Sequence, residues 1–344
     1  MSGGPVVAAF LGTQALGDFV MYHLTAASVA RSLQGARLVV VYRADRPYKD
    51  FVTRLNPWVA DTVVLPADPG RVAPLDWLDG GGPLPRPDIL LTPSMLEVNR
   101  CLGRPPRFRV PAEAAAGLAA RLAARGVDPD RWFAVLHVRE TGYQFRRDVD
   151  AARCADPLTY VPAVEDIIAQ GGQVVRIGDP TMAPLPARTG LVDLRHDGTF
   201  EDQAHAIARA RFFLGTDSGP TQLACALKTP VATTNAVQFG VWNDGDLALA
   251  KRYRLADGRV LATRELMDMG ALNAHGKRPG GMVQMDNTPE ELRAVAARMV
   301  AATADCPGWR GDAAADGGAA TDDAVTLPLA WRAMTDMGRV EVWE

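Results

Sequence analysis

The sequence predicts an α/β protein built from two doubly wound domains in tandem. Three observations lead there. Short apolar runs alternate with helix-length segments along most of the chain. The alternation breaks near residue 126 and starts afresh. The run Phe212–Pro230, FFLGTDSGPTQLACALKTP, reads as a strand, a tight turn and a helix in one piece. A chain of 344 residues is also long for a single core, which favours two domains.

Taken in order, Val6–Leu11 reads as a buried strand and Asp18–Leu33 as a helix. Arg37–Tyr42, Thr62–Leu65 and Asp88–Leu91 are the next strands, with helical or irregular segments between them. Pro111–Arg125 is an alanine-rich helix. Apolar strands alternating with helices imply parallel sheets covered on both faces. Pro and Gly crowd between Gly80 and Pro87 and at Gly103–Pro106, marking loops. After the Gly126–Arg131 break come strands at Trp132–Val138, Gln173–Ile177, Leu191–Leu194 and Val231–Thr234, and helices at Leu158–Gln170 and Phe200–Ala210. Pro289–Ala302 is an amphipathic helix. The Gly/Ala/Asp-rich stretch Gly308–Asp323 reads as a flexible linker, with a last segment that docks back on either domain. The expected division is 1–126, 127–306 and 307–344.

Composition excludes several classes. Hydrophobic residues at 48% and charged residues at 22% describe an ordinary soluble protein. A net charge of −3 gives no general attraction to nucleic acid or an anionic membrane, so an anionic ligand must be held by local groups. Cys101, Cys154, Cys225 and Cys306 are scattered with no C-x-x-C pair, which fits reduced thiols. The start of the chain shows no signal-peptide pattern, and no apolar run nears the ~20 residues that span a bilayer. A cytoplasmic protein, peripheral at a membrane at most, is expected.

In open α/β sheets ligands bind at the carboxyl ends of the strands, and tandem domains turn those ends toward a shared cleft. The informative residues fall there. In Phe212–Pro230 the turn Gly215–Gly219 leads to Pro220, suited to a helix start, and Leu223, Ala224 and Leu227 recur at helical spacing. The amides of such a start, with the positive dipole end, favour an anion such as phosphate. An ordinary strand–turn–helix unit has the same pattern.

After the first strand, Gly12 and Gly17 have the spacing of a phosphate loop. Asp18 and Phe19, however, replace the required Lys and Ser/Thr, which argues against a P-loop NTPase. Asp18 instead sets a carboxylate at a helix start, as a general base toward a sugar hydroxyl or as a cap. His137 and Arg139 alternate onto one face of their strand. Arg139 matches a phosphate with its fork of donors, or pairs with Glu140; His137 stands beside it as a donor or as a structural histidine. Arg146, Arg147 and Asp148 follow in the next loop. Arg176 is the charged residue of an apolar strand closed by Gly178-Asp179, and needs a carboxylate or a phosphate. The D-x-D pairs Asp128/Asp130, Asp148/Asp150 and Asp244/Asp246 follow no core strand directly, and no metal or resident cofactor is inferred. No G-x-S-x-G, H-E-x-x-H or G-x-G-x-x-G pattern occurs.

These residues resemble a family. Phe212–Pro230 looks like the D-[ST]-G-P-x-H-L-A-x-A motif of the ADP-heptose:lipopolysaccharide heptosyltransferases, and Leu16–Leu24 like their N-terminal L-G-D motif. The middle of the chain is more similar to bacterial glycosyltransferases of surface-carbohydrate synthesis. Their H-V-R-E, G-G-x-V-[IV]-R-x-G-D and L-G-T-x-S-G segments read here as His137–Glu140, Gly171–Asp179 and Leu214–Gly219, with D-N-T-P-E-E-L at Asp286–Leu292. The H-x-R element is also similar to that of GDP-fucose-dependent fucosyltransferases, whose arginine contacts the donor diphosphate.

The resemblance implies the GT-B fold, two Rossmann-like domains facing a central cleft, with the acceptor on the first and the nucleotide sugar on the second. By that likeness Asp18 is the base, Ser218, Gly219 and Thr221 meet the donor phosphates, and Gly17, His137, Arg139, Arg176, Gly178, Asp217 and Gln222 complete the donor site. Gln222 stands where the heptosyltransferases have histidine, which leaves the donor sugar open. The expected activity is metal-independent transfer from a nucleoside-diphosphate sugar to a glycan, lipid-linked or protein acceptor. A nucleotide-sugar 2-epimerase and a non-catalytic sugar-nucleotide or partner-binding module are the alternatives.

Overall fold

The computed structural model describes residues 4–67, 86–98, 106–140, 152–237, 246–269 and 281–305. Arg146, Arg147, the pair Asp148/Asp150, Cys101, Cys306 and the expected linker lie outside them. The chain divides into two compact units, the first running to Ala115 and including Ala226–Lys228, the second made of the rest. The division falls inside the alanine-rich helix, upstream of the break at Gly126.

In the first unit β1 (Val6–Phe10), β2 (Arg37–Arg43), β3 (Val59–Leu65) and β4 (Ile89–Leu91) form one sheet in the order β3-β2-β1-β4. All three pairings are parallel. The connecting helices are α1 (Leu16–Ser32), α2 (Tyr48–Leu55) and α3 (Pro93–Val98), and α4 (Ala112–Ala124) follows. Val7 to Phe10 and Leu38 to Tyr42 are buried without alternation, as expected of strands covered on both faces. Helix α1 is buried over most of its surface, including His23.

In the second unit β5 (Phe133–His137), β6 (Gln173–Arg176), β7 (Leu191–Asp193), β8 (Phe212–Thr216), β9 (Val231–Ala236) and β10 (Leu247–Ala250) form a parallel sheet in the order β10-β9-β8-β5-β6-β7. The expected helix Leu158–Gln170 is two pieces: a 3₁₀ turn at Pro157–Tyr160, capped by Asp156, leads into α5 (Val161–Ala169). Next come α6 (Phe200–Arg209) and α7 (Gly219–Leu227), then α8 (Thr263–Asp268) and α9 (Pro289–Ala302). An antiparallel pair, β11 (Arg252–Arg254) with β12 (Val283–Met285), stands apart from the main sheet. One face of the sheet packs Trp132, Leu136, Val174 and Leu214 against Val164 and Ile167 of α5 and Leu292, Val295 and Met299 of α9.

The D-N-T-P-E-E-L run proves to be a joint. Asp286 pairs with Lys251 at 2.6 Å. Asn235 and Asn287 exchange reciprocal bonds, each backbone N–H donating to the other's side-chain oxygen at 2.6 and 2.7 Å. Thr288 and Glu291 form a capping box at the start of α9. The Asn235 amide continues to Tyr160 Oη at 2.9 Å, which meets Thr234 Oγ1 at 2.7 Å; that hydroxyl donates to the carbonyl of Gly215 at 3.1 Å. Gly215 must be glycine, because a Cβ there would lie 2.0 Å from the carbonyl oxygen of His137 on β5. These contacts fix β8 tightly against β5.

Candidate functional site

Within the second sheet, β5 leads outward to β6 and β7 on one side, and the chain then crosses to β8, β9 and β10 on the other. Strand order therefore reverses between β5 and β8, the place where open α/β sheets bind ligands at their carboxyl ends. His137 is the last residue of β5, and Asp217 and Ser218 follow β8 immediately. The two segments meet there: Ser218 Oγ lies 3.1 Å from His137 Nδ1 and 3.1 Å from Thr221 Oγ1. Thr221 Oγ1 donates to the backbone carbonyl of Thr216 at 2.6 Å, and the backbone N–H of Arg139 donates to Thr216 Oγ1 at 2.8 Å. His137, Asp217, Ser218 and Thr221 are all buried. Gly219 opens α7, so this cluster sits at the amino end of that helix, the favourable end for negative charge.

Arg176, at the end of β6, is fully buried and pairs with Glu140 through Nη2 at 3.0 Å. The carboxylate thus goes to Arg176, and its other oxygen accepts the N–H of Ala183 at 2.8 Å. Nε and Nη1 of Arg176 have no hydrogen-bond partner among the described residues. Of the two partners considered from sequence, the structure shows the carboxylate, bonded to one nitrogen of the guanidinium. Burial and the nearby Arg195 weaken its hold on the proton, while Asp193 and Glu140 oppose them, so the guanidinium keeps its charge.

Gly178 serves the scaffold. Its N–H donates to Gln203 Oε1 at 3.1 Å and its carbonyl accepts from Gln203 Nε2 at 2.8 Å, so this backbone is already committed. Its φ of +150° favours glycine, and a Cβ built there would also press on the Met182 side chain. Asp217 holds a cation that sequence reading missed: Arg153 Nη2 donates to its carbonyl at 3.3 Å, and Arg153 Nε lies 3.8 Å from its carboxylate. The Gln222 side-chain oxygen is buried without a hydrogen-bond partner among the described residues. Of the D-x-D residues that are described, Asp128 caps its own turn at Asp130 N–H, and Asp246 accepts the N–H of Val231. No cluster of His, Cys, Asp or Glu among the described residues is placed to hold a metal ion.

In the first unit, α1 begins at Leu16 with Ala15 at its cap position, so Asp18 lies inside the first turn and is not the cap residue. Gly17 precedes it in that turn. The approach loop is pinned through Gln14, whose amide donates to Asp45 at 3.1 Å and accepts from Arg46 at 3.3 Å, and whose carbonyl accepts from Tyr48 Oη at 2.6 Å. Asp45 in turn pairs with the buried Lys49 at 2.6 Å, and Lys49 lies over the Phe19 ring. These residues were silent in the sequence because they act through a four-residue loop of another strand.

Two buried histidines have imidazoles pushed far down: burial takes His23 to about 3, and burial with the positive Arg139 and Arg176 takes His137 to about 4. Both values lie below the ordinary 6.5, so between those limits the unfolded chain binds more protons than the native one. Stability is then fully present above about pH 6.5 and drains away as pH falls toward 4. We expect the thermal midpoint to drop across that window, and His23→Gln to lose part of the drop. A flat profile from pH 7 to 4 would contradict it.

No protein-family model matches the chain, and no curated protein matches it in sequence. Solved structures do. The glycosyl transferase family 9 protein from Veillonella parvula superposes with a TM-score of 0.54 at 10% identity, covering 86% of this chain and 97% of its own. The ADP-heptose LPS heptosyltransferase II of E. coli does so with a TM-score of 0.54 at 13% identity, covering 86% of this chain and 98% of its own. No helix among the described residues is long and apolar enough to cross a membrane. With its parallel sheets and these neighbours, the chain has the α/β architecture of the GT-B fold.

Proposed function

We propose that this protein is a glycosyltransferase that moves a sugar from a nucleoside-diphosphate donor to a glycan, lipid-linked or protein acceptor in surface-carbohydrate synthesis. The observation that carries the reading is the meeting of His137 and Ser218 at the switch point of the second sheet, against the amino end of α7. That end favours an anion, and Arg176 brings a buried guanidinium with two unengaged nitrogens to the same sheet edge. In this reading the acceptor hydroxyl oxygen attacks the anomeric carbon while its proton passes to Asp18. The bond from that carbon to the diphosphate oxygen breaks, and the electron pair leaves with the nucleoside diphosphate. Arg139, Arg176 and the backbone N–H groups of Gly219 and Thr221 neutralise the leaving group, in place of a metal. Residues 137–222 supply the donor side, and the E. coli neighbour's ADP-heptose is one candidate donor, although Gln222 departs from the heptosyltransferase pattern. The compartment this implies is the cytoplasm.

The test is a thermal-shift screen with ADP-, GDP-, UDP- and CMP-sugars. A donor at about 100 times its Kd should add about 2.7 kcal/mol of stability and raise the midpoint visibly. Absence of a shift with every one of them would remove the donor site.

A further inference from the structure

The hydroxyl chain at the switch point has a direction that the backbone dictates. The carbonyl of Thr216 can only accept, so the single hydroxyl proton of Thr221 is spent on it. Thr221 Oγ1 then receives the proton of Ser218, and Ser218 Oγ has none left for His137. His137 Nδ1 must therefore carry the hydrogen and donate to Ser218. Nε2 is left as a lone pair with no partner among the described residues, on a ring only 5% exposed.

A second buried histidine, His23, provides a contrast. Thr53 Oγ1 donates to the carbonyl of Lys49 at 2.8 Å, so His23 Nε2 must donate to Thr53, at 3.2 Å. Its Nδ1 accepts from the Asn56 amide at 3.3 Å. His23 is the opposite tautomer, and both of its nitrogens are satisfied inside the protein. His137, by contrast, leaves its Nε2 with no protein partner among the described residues, beside the cluster at the start of α7.

A ring nitrogen that carries only a lone pair cannot donate to a phosphate oxygen, and repels it. This reverses the donor role expected for His137 beside a phosphate. We propose that His137 Nε2 accepts a hydrogen bond from a sugar hydroxyl of the bound nucleotide sugar, and so selects for that hydroxyl, while phosphate contact is left to α7 and the arginines. The inference rests on the glycosyltransferase reading. The hydroxyl belongs either to the transferred sugar or to the ribose. Depressed basicity of the ring keeps it a neutral acceptor across the physiological range.

The experiment is nitrogen-15 NMR on histidine-labelled protein, with the signals assigned through His137→Asn and His23→Gln. For His137 the expected pattern is a protonated, pyrrole-type Nδ1 and a pyridine-type Nε2, with the reverse for His23. The His137 pattern should persist when the best-binding sugar nucleotide of the screen is added. A protonated Nε2 in the bound state overturns the proposal. Calorimetry on His137→Asn, whose amide nitrogen replaces Nδ1 toward Ser218 and removes Nε2, supplies the second arm. A loss of about tenfold in affinity for the sugar nucleotide with none for the bare nucleoside diphosphate assigns the transferred sugar. The same loss for both, with Nε2 unprotonated, assigns the ribose. No loss for either overturns the proposal and leaves the donor site standing. If wild-type protein binds no nucleotide of any kind, the glycosyltransferase reading itself fails, and the hydroxyl assignment with it.

Discussion

Asp18→Asn is expected to slow sugar transfer by about 10²- to 10⁴-fold while leaving sugar-nucleotide affinity unchanged. The substitution keeps the shape of the side chain and removes only its ability to take a proton. Asp18 sits in the first turn of α1, the end of a helix that favours negative charge. The turn before it is held by Asp45, Arg46 and Tyr48 through Gln14, so the position is built rather than incidental. Loss of the charge at a helix start costs only about 0.3–1 kcal/mol, so the variant should fold. Transfer is measured with the donor that the thermal screen identifies. A fully active Asp18→Asn protein would show that another group takes the proton.

The second large effect is on stability. Glu140→Ala leaves the guanidinium of Arg176 buried with no carboxylate bonded to it, and removal of one partner of a buried pair costs about 3–5 kcal/mol. The carboxylate also loses its bond to Ala183. Replacing both residues, as Glu140→Leu with Arg176→Met, should recover most of that loss, since the desolvated charge disappears with its partner. The donor reading adds a second expectation: pyrophosphate should restore part of the stability of Glu140→Ala, by filling the place of the missing carboxylate, and should do nothing for the double variant. Both are read by urea denaturation. A Glu140→Ala protein destabilised by less than 1 kcal/mol would mean that Arg176 is reached by water and is not the buried cation described above.

Much of this architecture was legible because the strands are covered on both faces. Val6–Phe10, Phe133–His137 and Phe212–Thr216 are continuous apolar runs, and each is found within a residue or two of its expected place. Helix α2 was passed over, although Tyr48, Phe51, Val52 and Leu55 carry the helical period; the charges between them obscured it. Strand β10 and the β11–β12 pair were missed; β11 (RYR) and β12 (VQM) lack the apolar run that marked the equally short β4 and β7. At the site, sequence placed His137 and Ser218 at strand ends, but not their mutual bond, which depends on pairing β5 with β8 across 81 positions. Gly178 looked like a ligand-facing glycine and is instead bonded to Gln203, a residue whose type carries no signal of that role. The D-N-T-P-E-E-L run stood out as a motif, yet its described contacts are those of a joint.

That joint bears on how the protein is made. A nascent chain that stalls short of Asp286 already contains His137, Ser218 and Thr221, but the backbone N–H of Asn235 has no acceptor from Asn287, and Lys251 has no counter-ion from Asp286. Synthesis must run some seventy residues past the turn that holds Ser218 before its neighbouring strand is locked, so ribosome-bound intermediates arrested in that interval should be open to proteases that spare the finished polypeptide.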